Sequence, residues 1–404
     1  EGHPLLDELP GVFAFGMRER AERLGDGAED GSRWHDGLGN ESIDAVLCVY
    51  SADSGGHERA LQALDAMIAH FGLIEVDRQD ACPQPVGQPP VDHFGFRDGL
   101  VQPVIDGSLK SGRDRNPDDI VPAGEMLHGY RNLQGYHSPG MHVPASADPF
   151  ETLPDAETRG SWYPRFGESG KPGGSNKDFA RNGSFMAIRV LSQEVDRFEQ
   201  ACCEAACQIA TEYPHLPIGV EKERLHEWVA AKMVGRWKNG SSLIANPVHE
   251  GSLGEQDYRM AFGRDDPRGL QCPFGSHVRR SNPRDSLLPG DEQEMDIVNR
   301  HRLLRRGRNY ERNGEKGLFF IALCADLERQ FEFIQRNWIN SSNFHALEDE
   351  SDPLVTTNRT AGKFTIPLAG GSIRLDGLPS FVTLRAGGYF FVPSRSALLF
   401  LCSF

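Results

Sequence analysis

Apolar residues recur along the chain in short runs whose spacing predicts where strands and helices form. Residues 43–51 (IDAVLCVYS) are apolar and β-rich and predict a buried strand, and residues 57–71 carry their apolar side chains on one helical face. From Asp80 to about Lys177 the chain is rich in glycine, proline and polar residues and has few periodic stretches. So long an irregular segment inside a compact protein is usually functional or an ordered connector.

The second half of the chain alternates between predicted strands and predicted helices. In chain order these are a strand at residues 184–191, a helix at 193–210, a strand at 317–325, a helix at 327–339, and two strand-like runs in the tail at 381–393 and 397–401. Strand followed by helix thus occurs at least twice, and antiparallel hairpins are expected at the end. This order predicts an α+β fold of two sheet-and-helix modules, residues 1–180 with the long connector and residues 181–404.

Charge and hydropathy narrow the range of partners. The chain has 58 acidic against 43 basic residues, a net charge of −15, whereas a nucleic-acid partner needs a cationic surface. The longest apolar runs are too short to cross a bilayer, so no membrane span is expected. The N-terminus has no basic start followed by an apolar stretch and therefore predicts no signal peptide. A cytoplasmic location is expected on these grounds.

None of the eight cysteines forms a C-x-x-C pair. Most lie in predicted elements and are expected to be small buried hydrophobic residues, Cys202, Cys203 and Cys207 on a helix and Cys48, Cys324 and Cys402 in strand-like runs. A metal cluster at Cys203 and Cys207 would place two sulfurs one helical turn apart, but no further ligand is close in sequence. Unpaired cysteines of this kind are typical of a reducing compartment.

The first candidate for chemistry is Asp98 in residues 94–99 (FGFRDG). Glycines on either side of an acid let the backbone turn sharply and approach a flat or bulky group. Asp-Gly is also ordinary turn chemistry, and a surface turn is the commoner explanation of such a segment taken alone.

Two further segments concentrate histidine and arginine. His277 stands between an apolar turn and a basic run in residues 272–284, which suits an axial haem ligand with Arg279 and Arg284 reaching the propionates. The alternative is a core histidine whose hydrogen bonds are made within the protein, beside a solvated basic surface. The arginine cluster in residues 301–310 of an otherwise acidic protein favours an anion site or a solvated strand end.

Taken together and in this order, three segments resemble the motifs of one family, the dye-decolorising peroxidases. They are G-x-x-D-G at residues 95–99, C-P-F-x-x-H-x-R-x-x-N-P-R at residues 272–284 and R-R-G-x-x-Y at residues 305–310. Further resemblance covers residues 124–130 (GEMLHGY), 234–237 (VGRW), 317–345 and 386–393 (AGGYFFVP). The match extends from about Met17 to the C-terminus and looks most like the longer bacterial and fungal-like branch.

The resemblance implies two ferredoxin-like α+β modules of the dimeric α+β barrel type, with one haem b in a cavity of the C-terminal module. By the matched motifs, His277 is the axial iron ligand, Asp98 the distal acid and Arg305 the distal arginine. The other cofactor contacts implied are Gly99, Leu318 and Phe320, the last two as apolar walls of the distal face. Related chains carry further strand and helix before the point where this one begins, so an incomplete N-terminal module is expected, through truncation or divergence.

This set of residues predicts a peroxidase reaction. Asp98 would move a proton from one oxygen of hydrogen peroxide to the other, and Arg305 would hold that carboxylate ionised and stabilise developing charge. Since an aspartate titrates lower than a histidine, an acidic activity optimum is expected. An acid that accepts the other imidazole N–H of His277 would complete the proximal side. Residues 348–352 (EDESD) offer candidates, of which Asp352 is chosen, with a solvated acidic loop as the alternative for its neighbours.

Aromatic donors such as dyes or phenols are expected to give electrons one at a time, at a haem edge or from the protein surface. Tyr310 and Trp338 are candidate relays, with aromatic core packing as the alternative for both. Acidic residues that either bind a cation such as Mn(II) or lie on the solvated surface are Glu221, Glu223 and Glu250. The sequence leaves open the physiological donor, the oligomeric state and packaging in a protein compartment.

Two other classes of protein compete with the peroxidase. A haem-handling protein with little turnover would keep His277 but would not need Asp98 beside Arg305. A structural or interaction protein on this scaffold would bind no cofactor and would show no Soret band after haem supply. The chlorite-decomposing relatives share a similar fold but lack the G-x-x-D-G acid, which ranks them below a peroxidase.

Overall fold

The computed structural model of the chain describes residues 9–26, 34, 37–38, 43–85, 87–108, 116–156, 176–215, 219–288, 293–356 and 362–403. Its strands are β1 (Val104–Ile105), β2 (Ile120–Val121), β3 (His142–Pro144), β4 (Asn176–Asp178), β5 (Ser184–Gln193), β6 (Leu304–Arg305), β7 (Arg308–Arg312), β8 (Glu315–Cys324), β9 (Gly362–Leu368), β10 (Gly371–Leu378) and β11 (Val382–Val392). Its α-helices are α1 (Gly11–Glu19), α2 (Ser54–Phe71), α3 (Val195–Glu212), α4 (Leu225–Val234), α5 (Gln256–Arg259), α6 (Phe262–Asp265), α7 (His277–Ser281), α8 (Glu294–Asn299) and α9 (Arg395–Leu401). Two π-helical segments, Leu327–Glu332 and Ile334–Ile339, follow β8.

Five antiparallel strands form the central sheet, in the order β11, β5 and β8, with both β6 and β7 paired to the other edge of β8. Arg189 of β5 lies opposite Phe320 of β8, and Leu191 lies opposite Leu318. Because side chains alternate between the two faces of a strand, these four residues share one face of the sheet. That face carries a large cavity.

Two apolar cores hold the elements around this face. The first joins α3 and α4 to the β9–β10 hairpin through residues such as Phe198, Trp228 and Phe364. The second joins the sheet to the π-helical segments through residues such as Phe185 and Trp338. Full burial of a large apolar side chain stabilises a fold by about 1.5–3 kcal/mol. Since residues of both cores also line the cavity, the same packing that stabilises the fold shapes the site.

The main elements predicted for the second half are confirmed, and with them the α+β class. The strands β5, β8 and β11 and the helix α3 cover the predicted segments to within a few residues. Residues 327–339 are helical as predicted, but mostly with π-type turns. Such turns are rare in proteins and frequently occur at functional sites.

The predicted strand at residues 43–51 is wrong. These residues are extended but pair with no described strand, and Leu47 and Tyr50 are 66% and 60% exposed. An apolar, β-rich sequence forms a strand only where neighbouring strands and side chains complete a sheet around it. The helix predicted after it is confirmed as α2, which begins where Asp53 accepts the N–H of Gly56, but no described residue of α2 is buried.

The predicted strand at residues 397–401 is also wrong, because this run forms the helix α9. The side chain of Ser394 caps the helix by accepting the N–H of Ala397. Ala397 and Phe400 are buried at helical spacing, whereas Leu399 between them is exposed. An apolar run of five residues fits a strand and a helix equally well, so its flanking cap decides.

The expectation of buried cysteines holds for only part of the set. The buried cysteines are Cys202, Cys272 and Cys324, and the exposed ones are Cys48, Cys203, Cys207 and Cys402. Cys48 lies within the first wrong strand and Cys402 directly after the second, whereas Cys203 and Cys207 lie on the exposed side of α3. Among the described residues, no cluster of three histidine, cysteine or acidic side chains has the arrangement of a metal site.

The boundary near residue 180 stays a prediction. All five strands of the central sheet belong to residues 181–404, while the described strands before them form two short ladders, β1 with β2 and β3 with β4. Within the described part of the chain, no helix is both long and apolar enough to span a membrane.

Candidate active site

A large cavity opens on the sheet face that carries Arg189 and Phe320. Its empty space measures about 2000 Å³ when the open mouth is included. The predicted site residues that line it are Asp98, Gly99, His277, Arg284, Arg305, Leu318 and Phe320. Three motifs that are far apart in the sequence therefore meet in one place.

His277 is the first residue of α7, and its partly exposed side chain faces the cavity. Its Nδ1 lies 2.9 Å from Oδ2 of Asp352, a residue that is fully buried. The other carboxylate oxygen of Asp352 accepts the backbone N–H groups of Leu354 and Val355, at 2.9 Å each. A carboxylate held in this way fixes the orientation of the imidazole and leaves its Nε2 for a ligand.

Electrostatic interactions keep Asp352 ionised in spite of its burial. Burial by itself raises the pKa of this carboxyl, but the charge and hydrogen bond of His277, the N–H of Val355 and the charge of Arg280 outweigh it, and the pKa falls below its usual value. A charged acceptor on Nδ1 makes the imidazole a stronger electron donor through Nε2. The pair is therefore suited to an axial metal ligand.

Asp98 ends a tight turn whose backbone conformation depends on glycine. Its N–H donates to the carbonyl of Pro90 at 2.9 Å, and its Oδ1 accepts the N–H of Gly99 at 2.6 Å. Gly95 and Gly99 have φ values of +90° and +71°, a region that other residues rarely adopt. The two glycines of the motif thus allow the turn, and the turn presents the exposed Asp98 carboxylate to the cavity.

Arg305 reaches the same part of the cavity from β6. Its backbone N–H donates to Oε1 of Gln102 at 3.0 Å, and its Nη2 donates to the carbonyl of Val101 at 3.1 Å. Burial lowers the pKa of the Arg305 guanidinium, the charge of Asp98 opposes that shift, and the charge of Arg302 adds to it. The charges of Arg305 and Asp98 therefore interact, although the two side chains do not form a direct ion pair.

Gly307 of the R-R-G motif brings the arginine segment close to Asp98. A Cβ atom at Gly307 would lie 3.2 Å from Oδ2 of Asp98 and 3.3 Å from Cδ1 of Leu318. Contacts this short would require one of the two side chains to move. The glycine therefore leaves space for the carboxylate beside the apolar wall that Leu318 and Phe320 form.

Arg279 does not line the cavity, which corrects the prediction that it contacts the cofactor. Its guanidinium is fully buried, donates to Oδ2 of Asp266 at 3.2 Å and to the carbonyl of Cys272 at 2.8 Å, and lies over the ring of Phe274. Two residues along an α-helix are separated by about 200°. Arg279 consequently points away from His277 and stabilises the turn that precedes it.

Arg284 does line the cavity, although its guanidinium is mostly engaged with the protein. Its Nη1 donates to the carbonyl of Arg259 at 2.8 Å, and its Nη2 lies 3.8 Å from Oδ1 of Asp119. The backbone φ of Arg284 is +53°. The predicted contact of Arg284 with a cofactor is thus compatible with its position and stays a prediction.

Sequence reasoning missed four other arginines of the cavity lining. They are Arg97, Arg189, Arg236 and Arg302. With Arg284 and Arg305 they outnumber the acids among the described lining residues, Asp92 and Asp98. Burial lowers the pKa of Arg236 to about 10, and the nearby charge of Arg284 adds to that shift. Such a lining favours an anionic ligand. Arg97, Arg236 and Arg302 stood in segments singled out in the sequence, but Arg189 stood in none of them.

Several polar atoms of this lining are buried and have no hydrogen-bond partner within the described part of the chain. They are Nε of Arg97, Nη1 of Arg189, Oε1 of Gln193 and Oδ1 of Asn282. Since buried polar groups are nearly always paired in folded proteins, these atoms indicate a bound group with polar substituents. A tetrapyrrole with carboxylate side chains fits this lining, its apolar wall and the Nε2 atom of His277.

The two candidate relays occupy different places. Trp338 lines the cavity and makes an edge contact with His301, with ring centroids 5.3 Å apart. Tyr310 is buried in β7, donates its hydroxyl hydrogen bond to Oε1 of Glu315 at 3.0 Å and does not line the cavity. Of the acids considered for a cation, Glu250 accepts the N–H of Asn239 at 2.9 Å.

The sequence has relatives along nearly its whole length. Residues 249–370 match the family model of the C-terminal domain of Dyp-type peroxidases. The dye-decolorizing peroxidase msp1 of Mycetinis scorodonius is 24% identical over 418 residues, covering 96% of this chain and 71% of that protein. The multifunctional dye peroxidase DyP2 of Amycolatopsis is 25% identical over 417 residues, covering 96% of this chain and 76% of the relative.

Solved structures show the same fold. A dye-decolorizing peroxidase in complex with 2,6-dimethoxyphenol matches with a TM-score of 0.71 and 24% identity, over 96% of this chain and 80% of that one. A DyP-type peroxidase of Anabaena matches with a TM-score of 0.66 and 21% identity, over 97% of this chain and 75% of that one.

The family-model match and these relatives identify the chain as a peroxidase. Within that class, its similarity is to the dye-decolorising peroxidases, as the three motifs predicted. Peroxidases of this type are haem enzymes.

Proposed function

We propose that the chain binds one haem b through Nε2 of His277 and reduces hydrogen peroxide with Asp98 and Arg305, taking electrons from aromatic donors. The observation that carries this proposal is the presence in one cavity of a histidine backed by buried Asp352 and of an acid beside a guanidinium. The unpartnered N–H donors of Arg97 and Arg189 and the surplus of arginines support a ligand with carboxylates. When bound, haem supplies the iron at which peroxide is reduced and through which donor electrons pass one at a time.

Asp98 is the proton carrier in this proposal. Its Oδ1 is held by the N–H of Gly99, whereas no described donor binds its Oδ2. That oxygen is therefore available to take a proton from one oxygen of hydrogen peroxide and to deliver it to the other, which leaves as water. The carboxylate must be ionised at the start of each cycle, and Arg305 supplies a positive charge near it.

Arg305 stabilises the negative charge that develops while the O–O bond breaks. A guanidinium remains cationic at every pH relevant to activity, and a fixed cation in a water-poor cavity stabilises a charge more strongly than one in bulk water. Its bonds to Val101 and Gln102 anchor it to the segment that follows Asp98. The two groups therefore keep a constant relative position.

The apolar wall separates peroxide from bulky donors. Leu318 and Phe320 stand beside Asp98 on the sheet face and narrow the space near the carboxylate. Aromatic donors then give electrons at the rim of the cavity or through an aromatic side chain. Trp338, which lines the cavity, is the candidate relay, and a Trp338→Phe variant is expected to lose dye oxidation while it still consumes peroxide.

Stopped-flow mixing with peroxide tests the roles of the two distal residues. The Asp98→Ala and Arg305→Leu variants, each loaded with haem, are expected to consume peroxide at least about tenfold more slowly than the wild type. Asp106→Ala is the matched control, because Asp106 is exposed, lies outside the cavity and accepts the N–H of the next glycine as Asp98 does. If neither variant is slowed, the assigned roles are wrong.

A haem titration tests the role of His277 separately. The His277→Ala variant is expected to bind haem more weakly and to change the Soret band, and added imidazole is expected to restore the wild-type spectrum. A wild-type spectrum for His277→Ala without imidazole would show that another group holds the iron.

A further inference from the structure

The proposed mechanism leaves one acid of the cavity without a role. Asp92 lies six residues before Asp98 in the sequence, is half-buried and lines the cavity. Its backbone N–H donates to the carbonyl of Phe96 at 2.9 Å, and its Oδ1 accepts the N–H of Phe96 at 2.8 Å. One carboxylate oxygen therefore helps to close the turn.

The register of the turn places Asp92 and Asp98 on the same face. Val91 pairs with Arg97 in an antiparallel bridge, so Asp92 lies opposite Phe96. Cross-strand partners in an antiparallel pair project to the same side, and so do residues two apart on one strand. Asp92, Phe96 and Asp98 consequently share a side, in agreement with the presence of all three in the cavity lining.

The surroundings of Asp92 favour its protonated form. Burial raises the pKa of Asp92 to about 6, the negative charge of Asp98 raises it further, and the N–H groups of Phe96, Gly95 and Phe94 oppose the shift. Two carboxyl groups that share a site with different proton affinities commonly divide the roles of acid and base.

No cation within the described part of the chain forms an ion pair with Asp92. The side chain of Lys238 lies against Gly95 but pairs with Glu199 at 2.8 Å. Arg97 and Arg305 line the same cavity, and the second of them acts on Asp98. With a pKa of about 6, Asp92 holds a proton in weakly acid solution and in a minor part of the molecules near neutral pH.

The reaction takes up protons, which the oxidised donor or the solvent ultimately supplies. Reduction of one hydrogen peroxide to two waters consumes two electrons and two protons. Asp98 alone moves a proton that peroxide already carries, so the two protons taken up must come from elsewhere. They are needed in the steps driven by the electron donor, not in the cleavage of the O–O bond.

We propose that Asp92 is the proton store of this site, which passes a proton to Asp98 during donor oxidation and is reprotonated from solvent at the cavity mouth. In this step the Asp92 carboxylic acid becomes a carboxylate, the Asp98 carboxylate becomes an acid, and no other bond changes. The inference rests on the proposed role of Asp98 and extends it to the supply of protons.

Infrared spectroscopy of the resting, haem-loaded protein gives the first test. The wild type is expected to show a carbonyl band of a protonated carboxyl group that titrates near pH 6. Asp92→Asn keeps an oxygen for the N–H of Phe96 but cannot hold the proton, and it should lose this band. The control Asp106→Asn should retain it. A band that persists in Asp92→Asn overturns the proposal.

Kinetics near neutral pH give the second test. Asp92→Asn is expected to react with the first equivalent of peroxide as fast as the wild type, but to oxidise a donor in steady state at least about threefold more slowly. Asp92→Glu should restore turnover. Unchanged steady-state turnover overturns the proposal, and so does equal slowing of the first peroxide step, which would make Asp92 a support for Asp98. If Asp98→Ala itself reacts with peroxide at the wild-type rate, the proposed function fails, whatever the infrared band of Asp92 shows.

Discussion

The two sides of the cavity are built in opposite ways. His277 is backed by Asp352, which is fully buried and binds two backbone N–H groups with its second oxygen. Asp98, which also lines the cavity, is exposed at the end of a short turn. The difference fits the two proposed roles, because a metal ligand must keep one orientation while a proton carrier must meet water and peroxide.

The chain segment before His277 is also held by buried hydrogen bonds, in contrast to the turn before Asp98. Asp266 accepts the N–H groups of Gln271 and Cys272 at 3.2 and 2.8 Å, and buried Lys232 donates to the carbonyls of Leu270 and Gln271. The turn before Asp98 is closed mainly by its own backbone. Buried, charge-assisted hydrogen bonds are stronger and less tolerant of change than exposed ones. Substitutions on the proximal side should therefore cost more stability than those on the distal side.

The largest effect on stability is expected from Arg279→Met. This change leaves the buried carboxylate of Asp266 without its cation and should lower the free energy of unfolding by about 3–5 kcal/mol. Denaturant titration measures the loss. The matched control is Arg374→Met, which breaks an exposed pair with Asp376 and should cost no more than ~0.5 kcal/mol. Similar losses of unfolding free energy in both variants would show that the Arg279–Asp266 pair stabilises the fold no more than an exposed ion pair does.

Asp352→Asn should have an intermediate and pH-dependent effect. Its cost is about 1–3 kcal/mol near neutral pH, because the charged partner of His277 is lost. The folded-state pKa of Asp352 is lowered, so its contribution is present above the ordinary carboxyl pKa of about 3.9 and is lost as the pH falls through the lower folded value. The unfolding free energies of the wild type and the variant should thus become equal in acid. An equal difference at neutral and acid pH would contradict the pairing.

The smallest effect on stability, with a clear effect on activity, is expected from Gly307→Ala. The added methyl group would press on Asp98 and Leu318 and should slow peroxide consumption several-fold. Because this region is partly exposed, the free energy of unfolding should change by less than about 1 kcal/mol. Gly370→Ala is the control, since a Cβ there has no neighbour within 4 Å. A rate unchanged in Gly307→Ala would mean that the carboxylate does not need this space.

Residues of the candidate site could be predicted from the sequence where a short motif determines both the residue type and the local backbone conformation. His277, Asp98 and Arg305 each belong to such a motif, and the structure places all three in one cavity. The choice of Asp352 from an acidic loop also agrees with the structure, since Asp352 contacts His277. Its acidic neighbour Asp349 instead pairs with Lys363.

Residues whose role depends on tertiary contacts could not be predicted in this way. Arg189 lies in an apolar strand, and only the pairing of β5 with β8 shows that it faces the cavity beside Phe320. The prediction that Arg279 contacts the cofactor was wrong because residues two apart on a helix point in different directions. Residues 43–51 carry strand-like sequence without a strand beside them, so local pattern and tertiary structure disagree there.

The most direct test of the account is a crystal structure of the haem-loaded chain. It should show Nε2 of His277 bound to the iron, with Asp98 and Arg305 on the opposite face of the porphyrin. Iron held by any other side chain, or Asp98 and Arg305 on the same face as His277, would contradict it.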